Sequence, residues 1–275
     1  MSLDQFIKQS EAQLIEAGIG SSRLDVLILL EDNLQKDRSW ILANPDFSLP
    51  QSSINSLQKK LERRTKHVPL AYIRGHSEFY GRKFKVNRHT LEPRPESETM
   101  ITLLKTLLEH KNSICKARPC KVADVGTGSG CLGITAKLEM PELEVDLYDI
   151  SASALAVAKH NAHMHELHLH GRKMNLLSQP LRPYDVILAN LPYLPNEWNY
   201  DVSITHEPKI AFRGGKDGLE VYRKLFHQLK RFSWSPSYLL CESMPPQHEK
   251  LAEIAKDNGF KLHQTEDFIQ IFKTS

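Results

Sequence analysis

Residues 123–134 read ADVGTGSGCLGI. The apolar run through Val125 stops at Gly126. Gly126, Gly128 and Gly130 then alternate with Thr127 and Ser129, and a helix-forming run begins at Cys131. Glycine permits positive φ and lets a ligand approach the backbone. The first N–H groups of the helix that follows have no intrahelical partners and suit a polar ligand. A strand, a glycine loop and a helix make the first part of a βαβ unit, and the same alternation runs on to the C-terminus. LEVDLYDIS, YDVILAN and SYLLCES read as strands; SALAVAKHNAHMHE, DGLEVYRKLFHQLKRF and HEKLAEIAKDNG read as helices, the last ended by Gly259. Strands alternating with helices predict an α/β domain with a mainly parallel sheet.

In such a sheet ligands bind at the carboxyl ends of the strands. The spacing of the glycines is G-x-G-x-G, not the G-x-G-x-x-G of a dinucleotide fingerprint. The next strand ends in Asp149, 19 positions after Gly130 (149 − 130). There it can accept both ribose hydroxyls of a nucleoside. Either Asp149 or Ser151 can instead cap the following helix. NAD is the alternative cofactor, but the chain shows no second mononucleotide-binding half.

A third strand end is DVILANLPYLP, Asp185–Pro195. Pro192 stops the strand and holds Leu191 extended, which fixes where the Leu191 carbonyl points. The Asn190 side-chain oxygen and the Leu191 carbonyl make a pair of acceptors for one planar –NH2 group. Tyr193 can pack its ring on that plane. Together these features point to S-adenosylmethionine-dependent N-methylation of an amide or an exocyclic amine. Asn190 as a simple turn cap is the competing explanation.

The rest of the chain narrows the setting. Its 275 residues, 40% hydrophobic and 25% charged, suit a soluble globular protein, and a net charge of +3 is too small to argue for nucleic acid. No apolar run approaches the ~20 residues of a membrane span, and the polar amphipathic N-terminus does not read as a signal peptide. Cys115, Cys120, Cys131 and Cys241 lack zinc-site spacing, so four reduced, small hydrophobic side chains in a cytoplasmic protein are expected, with no metal. Residues 1–68 read as a helical bundle. In its first helix Phe6, Leu14 and Ile15 share one face; Ser22 caps a second helix carrying Leu24, Val26, Leu27, Leu29 and Leu30. Residues 69–95 contain a hairpin around Gly81 and then Pro93 and Pro95. Glu96 and Glu98 can cap the next helix or bind the amino group of a cofactor. Arg94 can anchor the linker or touch substrate. The histidines at 160, 163, 165, 168 and 170 read as a solvated helix end and loop.

The segments SSRLDVLILL, PLAYIRGHSEFYGRKFKV, EPRPESE, DVGTGSG, DIS, NLPY and HEPKIAFRGGKDGLEVYR resemble the protein-(glutamine-N5) methyltransferases that modify peptide chain release factors, over nearly the whole chain. The resemblance implies a Rossmann-like, seven-stranded class I methyltransferase domain at 96–275. A hairpin linker at 69–95 and a helical substrate-docking domain at 1–68 precede it. It implies that Gly126, Thr127, Gly128, Ser129, Gly130 and Asp149 hold S-adenosylmethionine. It also implies that Asn190, Leu191, Pro192 and Tyr193 hold the glutamine of a Gly-Gly-Gln loop in a class 1 release factor, with Asn190 also near the cofactor. Asn175 and Leu176 stand where the family often has an acid near the adenine; Asn175 can accept from the adenine amino group and Leu176 can pack on the ring. Leu191 replaces the first proline of the usual Asn-Pro-Pro-Tyr, and restoring that proline is expected to leave activity equal or higher. CESMPPQ and the C-terminal DFIQIFKTS fit the family poorly and are given no functional role. A monomer with no membrane and no stable nucleic-acid partner is expected. The alternatives are an adenine-N6 or guanine-N2 methyltransferase of nucleic acid, which needs strong phosphate contacts, and a non-catalytic cofactor-binding module.

Overall fold

The computed structural model describes residues 1–109, 114–115, 118–199 and 202–275. They form two compact units. One is Met1–His76 with the short 3₁₀ helix Val202–His206; the other runs from Ser77 to Asn199 and from Glu207 to Ser275.

The first unit is helical: α1 (Leu3–Glu16), α2 (Ser22–Leu34), α3 (Arg38–Ala43), α4 (Gln51–Thr65) and α5 (Leu70–Arg74). A capping box starts α1, with Ser2 and Gln5 satisfying each other's backbone N–H groups. Phe6, Ile7, Ser10 and Leu14 line its buried face. Ile15, expected there, is 59% exposed, because one step of about 100° from Leu14 turns it to solvent. Leu24 likewise faces water at 45% exposure, and the N-cap of α2 is Ser21, not Ser22. Among the cross-helix ion pairs of the bundle, Arg64 meets the buried Asp25 at 2.6 Å and Arg74 meets Asp32 at 2.7 Å.

The second unit begins with strands β1 (His76–Phe79) and β2 (Arg82–Lys85). Their turn is Tyr80-Gly81, both at positive φ, as a tight two-residue hairpin requires. Then come α6 (Glu98–Glu109), β3 (Lys121–Val125), α7 (Cys131–Glu139), β4 (Glu144–Asp149), α8 (Ala152–Met164), β5 (His170–Lys173), β6 (Val186–Ala189), α9 (Glu220–Lys230), β7 (Tyr238–Glu242), α10 (His248–Asp257), β8 (Phe260–Glu266) and β9 (Ile269–Thr274).

The seven-stranded sheet has the order β5-β4-β3-β6-β7-β9-β8, parallel except where β9 pairs antiparallel with β7 and β8. Its central strands are buried on both faces, which is why β6 and most of β7 read as apolar runs. Val122, Val145, Leu188 and Leu240 pack with α6, α7 and α8 in one cluster; Ala123, Tyr148, Ile187 and Leu239 pack with α9 and α10 in another. DFIQIFKTS supplies β9, a fully internal strand, and His170, read as part of a solvated loop, opens β5. The cysteines also depart from expectation: Cys115 and Cys120 are joined in a disulfide, and Cys131 and Cys241 are free. No helix among the described residues is long and apolar enough to cross a membrane.

Candidate active site

Strand register builds the site. Val125 lies opposite Tyr148, Asp124 opposite Leu188, and Ala189 opposite Cys241. Continued to the carboxyl edge, these registers set Asp149, Gly126, Asn190 and Glu242 in one row across four adjacent strands. A cavity of about 310 Å³ opens at this edge.

Gly126, Thr127, Gly128, Ser129, Asp149, Asn175, Leu176, Asn190, Leu191 and Pro192 all line that cavity, so the strand ends chosen from sequence do meet. Gly130 and Tyr193 are not on its wall. Gly130 sits at φ +83° as the N-cap of α7, and a Cβ there would lie 2.7 Å from Ile134 and 3.2 Å from Ala158. Close packing by itself requires glycine there. Tyr193 instead turns its hydroxyl to Glu242 Oε1 at 3.1 Å, and its backbone carbonyl accepts from Gln247 Nε2 at 2.8 Å.

The glycine loop is held from beneath. Gly126 and Thr127 donate to the Tyr148 carbonyl at 2.8 and 2.9 Å. Asp124 accepts from Thr127 Oγ1 at 2.6 Å and from the Gly133 N–H at 2.9 Å, and burial pushes its carboxyl up to about 6. Asn161 ties the Ser129 carbonyl to both backbone groups of Lys85. Gly128 stays open: a Cβ there meets nothing nearer than 3.9 Å.

Asp149 accepts from Gly128 N–H through Oδ2 at 2.9 Å and from Ser151 N–H through Oδ1 at 2.7 Å. Helix capping falls to Ser151, whose hydroxyl accepts from Ala154 N–H. Burial raises the Asp149 carboxyl, and the backbone donors work against that rise. Each of its oxygens keeps a lone pair, so the carboxylate can take two further donors. With open Gly128 on one side and Ile150 and Leu176 supplying apolar wall, this donor set fits a nucleoside.

At Asn190 the backbone is also accounted for. Leu191 N–H donates to Tyr222 Oη at 3.3 Å; the one hydrogen of that hydroxyl is shared between the carbonyls of Ala189 and Glu242. Asn190 Nδ2 donates to Ser97 Oγ at 2.9 Å. Among the described residues, neither Asn190 Oδ1 nor the Leu191 carbonyl accepts a hydrogen bond from protein. Glu98 accepts from the Tyr80 N–H, and neither Glu96 nor Glu98 lines the cavity. Arg94 does line it, anchored to the buried Glu207 at 2.5 Å.

Ser97, Tyr222, Glu242 and Gln247 are the residues that sequence reading missed. CESMPPQ, given no role, supplies two of them. A usable signal was present: SYLLCES and YDVILAN are strands of one parallel sheet, each ending in a polar residue.

Leu191 itself changes meaning. It is 2% exposed, and a Cβ on Gly126 would lie 2.9 Å from its Cδ2, so the side chain fills the space under the glycine loop. A proline there loses both this packing and the N–H bonded to Tyr222. Contrary to the expectation from the family dipeptide, Leu191→Pro is expected to lower stability by ~1–3 kcal/mol without raising kcat. Denaturant titration beside steady-state kinetics checks this; an unchanged midpoint with faster turnover shows that proline rigidity was the missing element.

Residues 5–75 match the model of the PrmC N-terminal domain, and residues 102–262 match that of the methyltransferase small domain. S-adenosylmethionine is the cofactor of such a domain. The catalytic domain of hMettl16, solved with the MAT2A 3′UTR hairpin 6, shares the fold: its TM-score is 0.55 at 14% identity, over 80% of this chain and 82% of that one. A bifunctional methyltransferase of Rickettsia bellii is 31% identical over 96% of this chain, which spans 52% of that protein's length. The release factor glutamine methyltransferase of Coxiella burnetii is 33% identical over 95% of this chain and 92% of its own. On likeness of that extent, the chain belongs to the family of release factor glutamine methyltransferases.

Proposed function

We propose that this protein methylates the side-chain nitrogen (N5) of the glutamine in a Gly-Gly-Gln loop of a class 1 peptide chain release factor. The observation that carries the reading is the pair of unclaimed acceptors, Asn190 Oδ1 and the Leu191 carbonyl, on the cavity wall beside the glycine loop and Asp149.

When bound, S-adenosylmethionine supplies an electrophilic methyl group on a sulfonium. Asp149 would accept the ribose hydroxyls, Gly128 would let the cofactor reach the backbone, and Asn175 and Leu176 would serve the adenine. An amide nitrogen is a poor nucleophile because its lone pair is delocalised into the carbonyl. Asn190 and Leu191 accept both of its N–H groups, which pushes electron density toward nitrogen and aims it at the methyl. Positioning of this kind is worth at most ~7–11 kcal/mol. No base is required beforehand; the extra proton leaves to water after transfer.

The test is mass spectrometry of a purified release factor incubated with enzyme and cofactor, with DNA and RNA as parallel substrates. One added methyl on the glutamine, and none on nucleic acid, is the expected result. Methyl on adenine or guanine alone replaces the reading with the nucleic-acid one; cofactor binding with no transfer to any substrate replaces it with a binding module. The helical unit is proposed to dock the factor, through a contact area additional to the loop. A whole factor is then expected to show a KM at least ~10-fold below that of a Gly-Gly-Gln peptide. Equal KM values remove the docking role. A cytoplasmic location accords with a release factor as substrate.

A further inference from the structure

We propose that Ser97 and Glu242 form a buried positioning relay that fixes the amide of Asn190 with its oxygen, not its nitrogen, toward the cavity. The inference rests on the glutamine methylation proposed above and deepens it.

Which end of an asparagine amide faces a partner follows only from the hydrogen-bond network around it. With Glu242 ionised, the network has one solution. An ionised carboxylate can only accept. Ser97 Oγ lies 2.6 Å from Glu242 Oε2, so the single hydroxyl hydrogen of Ser97 is used there. Toward Asn190, 2.9 Å away, Ser97 then has only lone pairs to offer. The amide must present –NH2 to it, and Oδ1 is left for the cavity. Tyr193 donates to the other oxygen of Glu242, which keeps that carboxylate in place. Water does not compete: Ser97 is 2% and Glu242 1% exposed.

The arrangement is hard to explain as stability alone. Burial pushes the Glu242 carboxyl up to about 7 in spite of the hydrogen bonds it accepts from Ser97 and Tyr193. A carboxylate buried at the end of β7 is costly unless hydrogen bonds offset its desolvation, and one of the hydroxyls that do so here is the one that meets Asn190. Its register opposite Asn190 gives the charge a use: it dictates, through one hydroxyl, which atom meets the substrate. A flipped amide would aim two donors at a group that itself has only donors to give.

The experiment compares wild type, Ser97→Ala, Ser97→Thr, Asn190→Ala and the double variant Ser97→Ala/Asn190→Ala on the same release factor. It records kcat, KM, cofactor Kd by calorimetry and the melting temperature. Ser97→Ala is expected to lower kcat ~10–100-fold, the scale of a misaligned reacting group, with KM and cofactor Kd within about twofold. Ser97→Thr, which keeps the hydroxyl, is expected to restore most of the rate. In the Asn190→Ala background, Ser97→Ala is expected to change nothing more, because residues acting as a unit are not additive. Full kcat in Ser97→Ala, additive losses in the double variant, or a parallel loss of cofactor binding each overturns the relay. If wild type itself adds no methyl to the glutamine, it is the functional reading that fails, before the relay is reached.

Discussion

Replacing Asn190 by alanine is expected to lower kcat for glutamine methylation by at least ~100-fold, the scale of losing one preorganised polar contact in a transition state. The reason lies in what else the residue does, which is little. Its nitrogen contacts Ser97 and its oxygen has no donor among the described residues, so truncation leaves the glycine loop, Asp149 and the Tyr222 bonds standing. Cofactor affinity should therefore move by less than about threefold, since only a single wall atom of the cofactor side is altered. The loss falls on kcat because the amide nitrogen gains its electron density only while both N–H groups are accepted. Mass-spectrometric counting of methyl groups under saturating cofactor makes the measurement. If Asn190→Ala turns over at the wild-type rate, the side chain is a turn cap and the acceptor pair is not the catalytic device.

Asp149→Ala is expected to weaken S-adenosylmethionine binding by ~1–3 kcal/mol, or ~5–150-fold, through lost charge-assisted hydrogen bonds to the ribose. Two effects add at this position. The ribose loses its acceptor, and the Gly128 N–H loses the partner that sets the open glycine facing the cavity. The fold itself should survive: burial already raises the carboxyl's pKa, so its removal also removes a desolvation cost. The sign of the pH effect follows. A protonated Asp149 is a poorer acceptor, so cofactor affinity in the wild type should decline as pH falls toward the carboxyl's raised range, and the alanine variant should lack that decline. Calorimetry across pH gives both readings, and unchanged affinity in Asp149→Ala at neutral pH removes the residue from the site.

Much of this was legible in the chain. Period-3.6 stripes and capping residues marked the helices; uninterrupted apolar runs marked strands buried on two faces; glycines and prolines marked where those strands end. That is local chemistry, and it placed Gly126–Gly130, Asp149 and Asn190 at strand ends before any coordinates. The errors were local as well as long-range: Ile15 and Leu24 are one helical step from buried neighbours, and that step decides between core and water. The histidine-rich stretch gave no strand signal because β5 is an edge strand whose side chains are mostly exposed.

Only the tertiary structure decided the rest. Register between strands far apart in sequence sets Asp149, Gly126, Asn190 and Glu242 in one row, and no local pattern encodes a register between β6 and β7. The fold also turns the Tyr193 hydroxyl toward Glu242 and packs Gly130 against Ile134 and Ala158. It also gave DFIQIFKTS a strand position between β7 and β8, where its backbone groups are paired on both sides. Residue type fixed what each strand end could offer. Which atom of Asn190 faces the cavity depends on a hydroxyl 93 positions away in the chain and a buried carboxylate beyond it, because a hydrogen bond is chosen by the neighbours that a fold brings together.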